Sequence, residues 1–193
     1  TVYTILGNGE VFIDIKGNPT GNKPDTMPRI GLEMAIPTSI DQVKWYGRGP
    51  GESYSDTKHA NRFGVFAQDV DGLMTNYIYP QENGNRTDVS WASFTNQEGM
   101  GLFTTGSPSF NFSAHRYTVE DFDLAQHTYD LKKKDEIYVH LDYKQHGIGS
   151  ASCGPDVLPE YELRNEAFEF NVRLAPYSVN QIQPTVLAKK KYE

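Results

Sequence analysis

Two stretches of the sequence decide the fold: IYVHLDY at residues 137–143 and AFEFNVRL at residues 167–174. In both stretches an apolar side chain occupies every second position, and mostly polar side chains occupy the positions between. Because successive side chains of a β-strand point to opposite faces, this two-residue period predicts two strands that each pack one face on an apolar core. The pattern is typical of antiparallel sheets with a solvated outer face.

The rest of the chain favours the same architecture. A Gly-Asn-Gly turn at residues 7–9 separates residues 2–6 from an alternating segment at 11–16, which predicts a β-hairpin. Further short strands are predicted at 32–36, 42–46, 65–67, 75–79, 88–94, 101–105 and 109–113. One short helix is predicted after Thr118, because Asp121 follows it three residues later as in a capping box. No repeat or linker divides the sequence, so we expect one all-β domain over residues 1–193.

Composition excludes several classes of protein. The 18 basic and 25 acidic residues give a net charge of −7, which argues against a nucleic acid or an anionic membrane as partner. No apolar run approaches the ~20 residues of a membrane-spanning helix, and no charged-then-apolar signal segment opens the sequence. The single cysteine, Cys153, excludes an internal disulfide and a four-cysteine zinc site.

Common catalytic motifs are also missing. The GRGPG run at 47–51 lacks the third glycine of a dinucleotide-binding loop, and its proline removes an amide donor. A Cys153–His146 nucleophile pair would need a geometry that only the fold can supply. Carboxylates are abundant, but their abundance selects no acid and nucleophile pair. The five histidines show no zinc-binding spacing; they are His59, His115, His127, His140 and His146.

The segment YPQENGNRTDVSW at 79–91 combines charged, amide and aromatic side chains. Aromatic faces and fork-like polar groups suit a sugar ring, so Glu82, Arg86, Asp88 and Trp91 form one candidate sugar-binding face. The alternative is a loop whose polar groups satisfy its own backbone, with Arg86 paired to Glu82 or Asp88.

Four motifs in order resemble a known family. They are PRIGLEMAIP (28–37), VKWYGRGPGESYSDTK (43–58), YIYPQENGNRTDVSW (77–91) and HGIGSASCGP (146–155). Together they resemble the C-terminal, small-chain domain of the glycoside hydrolase family 2 β-galactosidases over about residues 1–174. The resemblance implies an antiparallel two-sheet super-sandwich of the galactose-mutarotase type.

The resemblance also implies a role and a set of partners. In the family this domain lends a loop to the active-site rim, which here corresponds to His146, Ser152 and Cys153 as substrate-binding residues. Cys153 stands at or near a position that is often tryptophan, so the leaving-group subsite is expected to be more open. The acid/base and nucleophile glutamates, Mg²⁺ and possibly Na⁺ are expected in a catalytic barrel domain or large subunit. The parent enzyme is expected to be oligomeric and cytoplasmic.

The sequence leaves three candidate functions. The first is a β-galactosidase domain that completes the active-site rim but is inactive alone on lactose-type β-D-galactosides. The second is a stand-alone carbohydrate-binding module that uses Glu82, Arg86, Asp88 and Trp91. The third is an aldose 1-epimerase-like enzyme, which rests on fold analogy alone.

Overall fold

The computed structural model describes residues 1–149 and 154–190. Nine strands are present in this part of the chain: β1 (Val2–Ile5), β2 (Val11–Gly17), β3 (Arg29–Pro37), β4 (Gln42–Gly49), β5 (Arg62–Asp69), β6 (Arg86–Thr95), β7 (Met100–His115), β8 (Glu136–Gln145) and β9 (Phe168–Ser178). All pairs between these strands are antiparallel, and the two alternating stretches at 137–143 and 167–174 correspond to strands β8 and β9.

The strands form an all-β sandwich. The path β1-β2-β9-β7-β6-β4-β5 makes one layer, and β8 with β3 branches from β7. Side chains from both branches meet in one buried apolar cluster, for example Trp45 of β4, Phe170 of β9 and Val139 of β8. The core therefore lies between the two branches, as alternation along β8 and β9 predicts.

One long strand joins the two layers of the sandwich, which corrects the prediction of two short strands in this part of the sequence. The predicted strands at 101–105 and 109–113 are one strand of 16 residues, β7. Its first part pairs with β9 as far as Ser107, and its last part pairs with β8 from Asn111. Pro108 lies between these two ladders, where its missing N–H is not needed by either neighbour.

Three short α-helices occur in the described residues instead of at most one: α1 (Val70–Leu73), α2 (Val119–Leu124) and α3 (Pro184–Leu187). Helix α2 is the predicted one, and the capping box between Thr118 and Asp121 is present. The other two have four residues each, too few for a helical period to be recognisable in the sequence. No described helix has both the length and the apolar character needed to cross a membrane.

The predicted strand at 75–79 is wrong, because these residues form no ladder. Instead, the amide of Thr75 donates to the Asn83 side chain at 3.0 Å, while Ile78 and Tyr79 are exposed to solvent. Strand β4 also extends to Gly49, three residues beyond the predicted strand at 42–46. Two loops, at 50–61 and 74–85, lead directly to the candidate site.

Candidate functional site

Two of the predicted site residues line one cavity of about 510 Å³: Glu82 and His146. We call this cavity the Arg29 cleft and define it by Arg29, Tyr54, Glu82, Gln145 and His146. Ser152 and Cys153, the other residues of the predicted rim loop, lie outside the described residues. The cleft therefore joins one residue of the 79–91 segment to the first residue of the HGIGSASCGP motif.

Pairing between β3 and β8 positions the polar floor of the cleft. Arg29 begins β3 and lies opposite Gln145, the last residue of β8. A register shift follows between Ile30 and Gly31. A Cβ atom at Gly31 would lie 2.0 Å from Oδ1 of Asp142, so glycine leaves the space that the buried carboxylate occupies.

Arg29 bridges two carboxylates. Its Nη2 donates to Oδ2 of Asp142 at 2.9 Å, and its Nη1 lies 3.6 Å from Oε2 of Glu82. Gln145 adds a second bond to Asp142 Oδ2, at 3.1 Å from its Nε2. The Asp142 side chain is only 1% exposed, whereas that of Glu82 is 40% exposed. Glu82 is thus the carboxylate of this pair that a ligand can reach.

Burial sets the protonation of these carboxylates. It raises the pKa of Asp142 to about 7, although the Arg29 guanidinium lowers it. Burial likewise raises the pKa of Glu82, with Arg29 and the Tyr54 hydroxyl acting in the opposite direction. Arg29 Nε and Gln145 Oε1 are buried without a hydrogen-bond partner among the described residues. These two atoms therefore lie beneath the surface of the cleft.

The loop at 50–61 holds the cleft from one side. The hydroxyl of Tyr54 donates to Glu82 Oε1 at 3.3 Å, and the amide of Gly149 donates to Asp56 Oδ2 at 2.8 Å. Burial, reinforced by Glu82 and Glu52, raises the pKa of Tyr54, so this hydroxyl stays a donor at neutral pH. One loop therefore fixes both Glu82 and the described start of the 147–155 segment.

Glu52 fixes the second loop. Its Oε2 accepts the amide of Gly84 at 2.8 Å, and its Oε1 accepts the hydroxyl of Tyr77. Burial and this bond raise the pKa of Tyr77 to about 12. Glu52 therefore joins the loop at 50–61 to the loop that carries Glu82.

Two histidines lie behind Arg29 and stay neutral. Burial, together with the positive charge of Arg29, lowers the pKa of both His115 and His140 to about 4. A ring nitrogen of His115 lies 2.9 Å from the carbonyl oxygen of Asn83, next to Glu82 in the chain. These imidazoles support the Glu82 loop as uncharged groups near neutral pH.

Comparison with known proteins agrees with the four motifs. The family model for the β-galactosidase small chain matches residues 1–174. The chain belongs to the β-galactosidase small-chain family. It is 38% identical over 178 residues to a β-galactosidase of Kluyveromyces lactis, covering 90% of this chain but 17% of that protein. It is 33% identical over 174 residues to a β-galactosidase of Arthrobacter sp. strain B7, covering 88% of this chain and 17% of the relative.

This small-chain domain thus spans about one sixth of the length of these relatives. A third relative, a β-galactosidase of Photobacterium profundum, is 36% identical over 177 residues, which are 90% of this chain and 16% of the relative. The region that all three comparisons cover contains every residue of the Arg29 cleft.

The structure does not bring the four residues of the predicted sugar face together. In this small-chain domain Arg86 is buried, with its guanidinium 5.3 Å from the centre of the Trp45 ring and Nη1 donating to the Gly84 carbonyl at 2.7 Å. Burial lowers the pKa of Arg86 to about 10. Trp91 is 2% exposed and stacks on Phe103 with ring centres 6.0 Å apart. Both side chains stabilise the interior and offer no surface to a sugar.

Asp88 lies apart from Glu82. Its two carboxylate oxygens pair with Arg48 at 3.2 Å and Lys58 at 3.0 Å. Neither pair that the sequence suggested for Arg86, with Glu82 or Asp88, is found among the described contacts. Of the four predicted sugar-face residues, only Glu82 belongs to the Arg29 cleft.

Four residues of this site were missed at the sequence level: Arg29, Tyr54, Asp142 and Gln145. Arg29 and Tyr54 lie inside the family motifs, but nothing in the motifs marks them as neighbours. Asp142 sits at a polar position of the alternating β8 stretch and is nevertheless buried. The β3–β8 register, which the sequence does not reveal, brings Arg29, Asp142 and Gln145 together, and the loop at 50–61 adds Tyr54.

The family resemblance implies Mg²⁺ and possibly Na⁺ in the parent enzyme, outside this domain. No three side chains among His, Cys, Asp and Glu converge as metal ligands in residues 1–149 and 154–190. The expectation that these ions bind elsewhere in the parent enzyme stays a prediction.

Proposed function

We propose that this small-chain domain completes the active-site rim of a β-galactosidase that hydrolyses terminal β-D-galactosides of the lactose type. The observation that carries the proposal is the Arg29 cleft, which places Glu82 beside His146 at the start of the predicted rim loop. The remaining five-sixths of the relatives' length would supply the catalytic barrel, as a further domain or as a large subunit. An oligomeric, cytoplasmic parent enzyme is part of the same proposal.

The chemistry of the cleft favours binding over bond cleavage. A retaining glycosidase needs two carboxyl groups that both reach the sugar, one as acid and one as nucleophile. Of the two carboxylates that Arg29 bridges, Asp142 is buried and only Glu82 is accessible. Glu82, Tyr54 and Arg29 instead offer acceptor and donor groups of the kind that sugar hydroxyls need. We therefore assign the cleft a role in holding and orienting a galactoside.

An activity assay separates these roles. The isolated chain, given a chromogenic β-galactoside, is expected to show no turnover above buffer, and turnover would contradict the absence of a catalytic pair. In the parent enzyme, Glu82→Gln is expected to change KM or kcat. The matched control Glu98→Gln alters an exposed glutamate in the hairpin that joins β6 to β7 and is expected to change neither. Equal kinetics for the two variants would remove Glu82 from the rim.

A carbohydrate-binding module remains the second candidate. The accessible carboxylate of Glu82 in a cavity of about 510 Å³ favours it, since a carboxylate can accept hydrogen bonds from sugar hydroxyls. Titration calorimetry of the isolated chain with galactose and with lactose tests it. Heat that disappears in Glu82→Gln would support binding by the domain alone, and no heat at millimolar sugar would exclude it.

A further inference from the structure

Strand β5 has apolar side chains on both faces. On the inner face, Phe66 packs against Trp45 with ring centres 5.6 Å apart. On the outer face, Phe63 and Val65 are 47% and 50% exposed. A strand that is apolar on both sides is typical of a sheet that is covered on both sides. In the described part of the chain, no element covers the outer face of β5, where Phe63 and Val65 lie.

The exposed side chains are contiguous. Tyr46 of β4 lies directly opposite Val65, is itself 37% exposed, and meets Phe63 edge to face at 4.8 Å between ring centres. We call Tyr46, Phe63, Val65 and Ala67 the β4–β5 patch. Contiguous exposed apolar side chains on a soluble domain mark an interaction site, whereas isolated ones do not.

The chain covers the adjoining part of the same face itself. Trp91 lies 6.4 Å from Tyr46, but it is buried together with Tyr177 under Leu187 of the C-terminal segment. The C-terminal segment covers Trp91 but does not reach the exposed Tyr46. The β4–β5 patch is therefore the uncovered continuation of a face whose other part needs a cover.

The backbone of β5 is also open. In the described residues β5 pairs with β4 only, so it is an edge strand of eight residues. It contains no proline and no lysine, the residues that commonly protect a free edge from further pairing. The outer edge therefore lacks the features that keep a permanently exposed strand soluble.

We propose that the β4–β5 patch docks on the part of the β-galactosidase that lies outside this chain. The inference rests on the proposed function and names the surface through which it operates. The relatives extend for about six times the length of this chain, so they contain ample polypeptide to cover the patch. The loop at 50–61 connects β4 to β5 and carries Tyr54 into the Arg29 cleft. A partner seated on the patch therefore holds the hairpin that shapes the cleft.

Hydroxyl-radical footprinting of the isolated chain and of the parent enzyme tests the proposal. Labelling of Tyr46 and Phe63 is expected to fall about tenfold in the parent enzyme, since side chains at the centre of an interface lose nearly all solvent contact. Val2 and Tyr3 of β1, exposed at the opposite edge of the sheet, provide the matched comparison. Equal labelling of Tyr46 and Phe63 in the two samples would overturn the proposal, whatever happens at β1.

Three further outcomes are decisive. Protection that appears in the isolated chain only at high concentration would assign the patch to a second copy and overturn the proposed occupant. A Phe63→Ser, Val65→Ser variant is expected to keep the unfolding temperature of the isolated chain but to lower the yield of assembled parent enzyme about tenfold. An unchanged yield would overturn the proposal. A parent enzyme that protects the patch but hydrolyses no galactoside would refute the proposed function and leave the docking surface intact.

Discussion

Replacing Asp142 with asparagine tests the electrostatics of the Arg29 cleft. The substitution preserves the shape of the side chain and removes its only titrating group. In the folded protein the Asp142 carboxyl is buried against Arg29, and its pKa is raised from 3.8 to about 7. The free energy of unfolding of the wild type therefore contains a pH-dependent contribution from Asp142 that the variant lacks.

The sign and size follow from proton linkage. Between pH 3.8 and about 7 the folded state binds one more proton at Asp142 than the unfolded state does. The contribution of Asp142 is therefore fully present below pH 3.8 and is lost as the pH rises to about 7, by about 1.4 kcal/mol per pH unit. The difference in free energy of unfolding, Asp142→Asn minus wild type, is expected to rise by about 2.7 kcal/mol from about pH 4.5 to about pH 6.5.

Urea denaturation at several pH values measures this difference. Fluorescence reports unfolding, because the two tryptophans, Trp45 and Trp91, are both buried in the folded chain. Asp71→Asn is the matched control. Partial burial alone would raise the pKa of Asp71. The hydrogen bonds and positive charges of Lys133 and Arg116 together outweigh burial, so the pKa of Asp71 lies below its usual value. Asp71 therefore does not titrate in this pH range, and the control difference stays flat.

A constant difference between Asp142→Asn and wild type across this range would refute the reasoning. It would mean that Asp142 ionises near its ordinary pKa and that Arg29 compensates its burial fully.

Three other substitutions probe the same region. His115→Gln removes an imidazole whose pKa is lowered to about 4. The contribution of His115 to the free energy of unfolding is present above pH 6.5 and is lost as the pH falls toward 4. In urea titrations over this range the variant should therefore lose about 1.4 kcal/mol per pH unit less stability than the wild type. Gly31→Ala should destabilise the fold by about 3 kcal/mol or more in thermal unfolding, because the added Cβ would lie 2.7 Å from the Asp142 backbone. Asp56→Ala removes the acceptor of the Gly149 amide and should speed hydrogen exchange there about tenfold.

Each of these substitutions has a comparison in the same chain. His59→Gln alters an exposed histidine and should leave the acid limb of the stability curve unchanged. Gly7→Ala adds a Cβ with nothing within 4 Å and should be far milder than Gly31→Ala. Asp135→Ala alters an exposed aspartate and should leave exchange at Gly149 unchanged. A variant that behaves like its comparison would contradict the contact assigned to it.

The strands that could be predicted from the sequence are those that pack one face on the core. Alternation in β8, β9 and β2 follows directly from burial of one face, and their pairing with neighbours agrees with it. The continuity of β7 could not be predicted, since Gly106 and Pro108 suggest a break. The strand passes through them because it changes partners at that point.

The site was less predictable because it depends on register. The composition of the 79–91 segment selected Glu82, which lines the Arg29 cleft, but it also selected Arg86 and Trp91, which are buried. Between Arg86 and Trp91 the register of β6 against β7 shifts twice, and Asp88 adopts a positive φ of 54°. Such irregularities change which face a side chain occupies, so alternation cannot be counted across them.

The small-chain family match ends at residue 174, yet the folded unit does not. Strand β9 continues to Ser178, and the Arg173 guanidinium donates to the carbonyl of Leu187 at 3.1 Å. A gene fragment trimmed to the matched segment would shorten that strand by four residues and strip the covering from Trp91. An expression fragment of this domain should therefore include the residues through 190, since the folded unit extends beyond the end of the family match at residue 174.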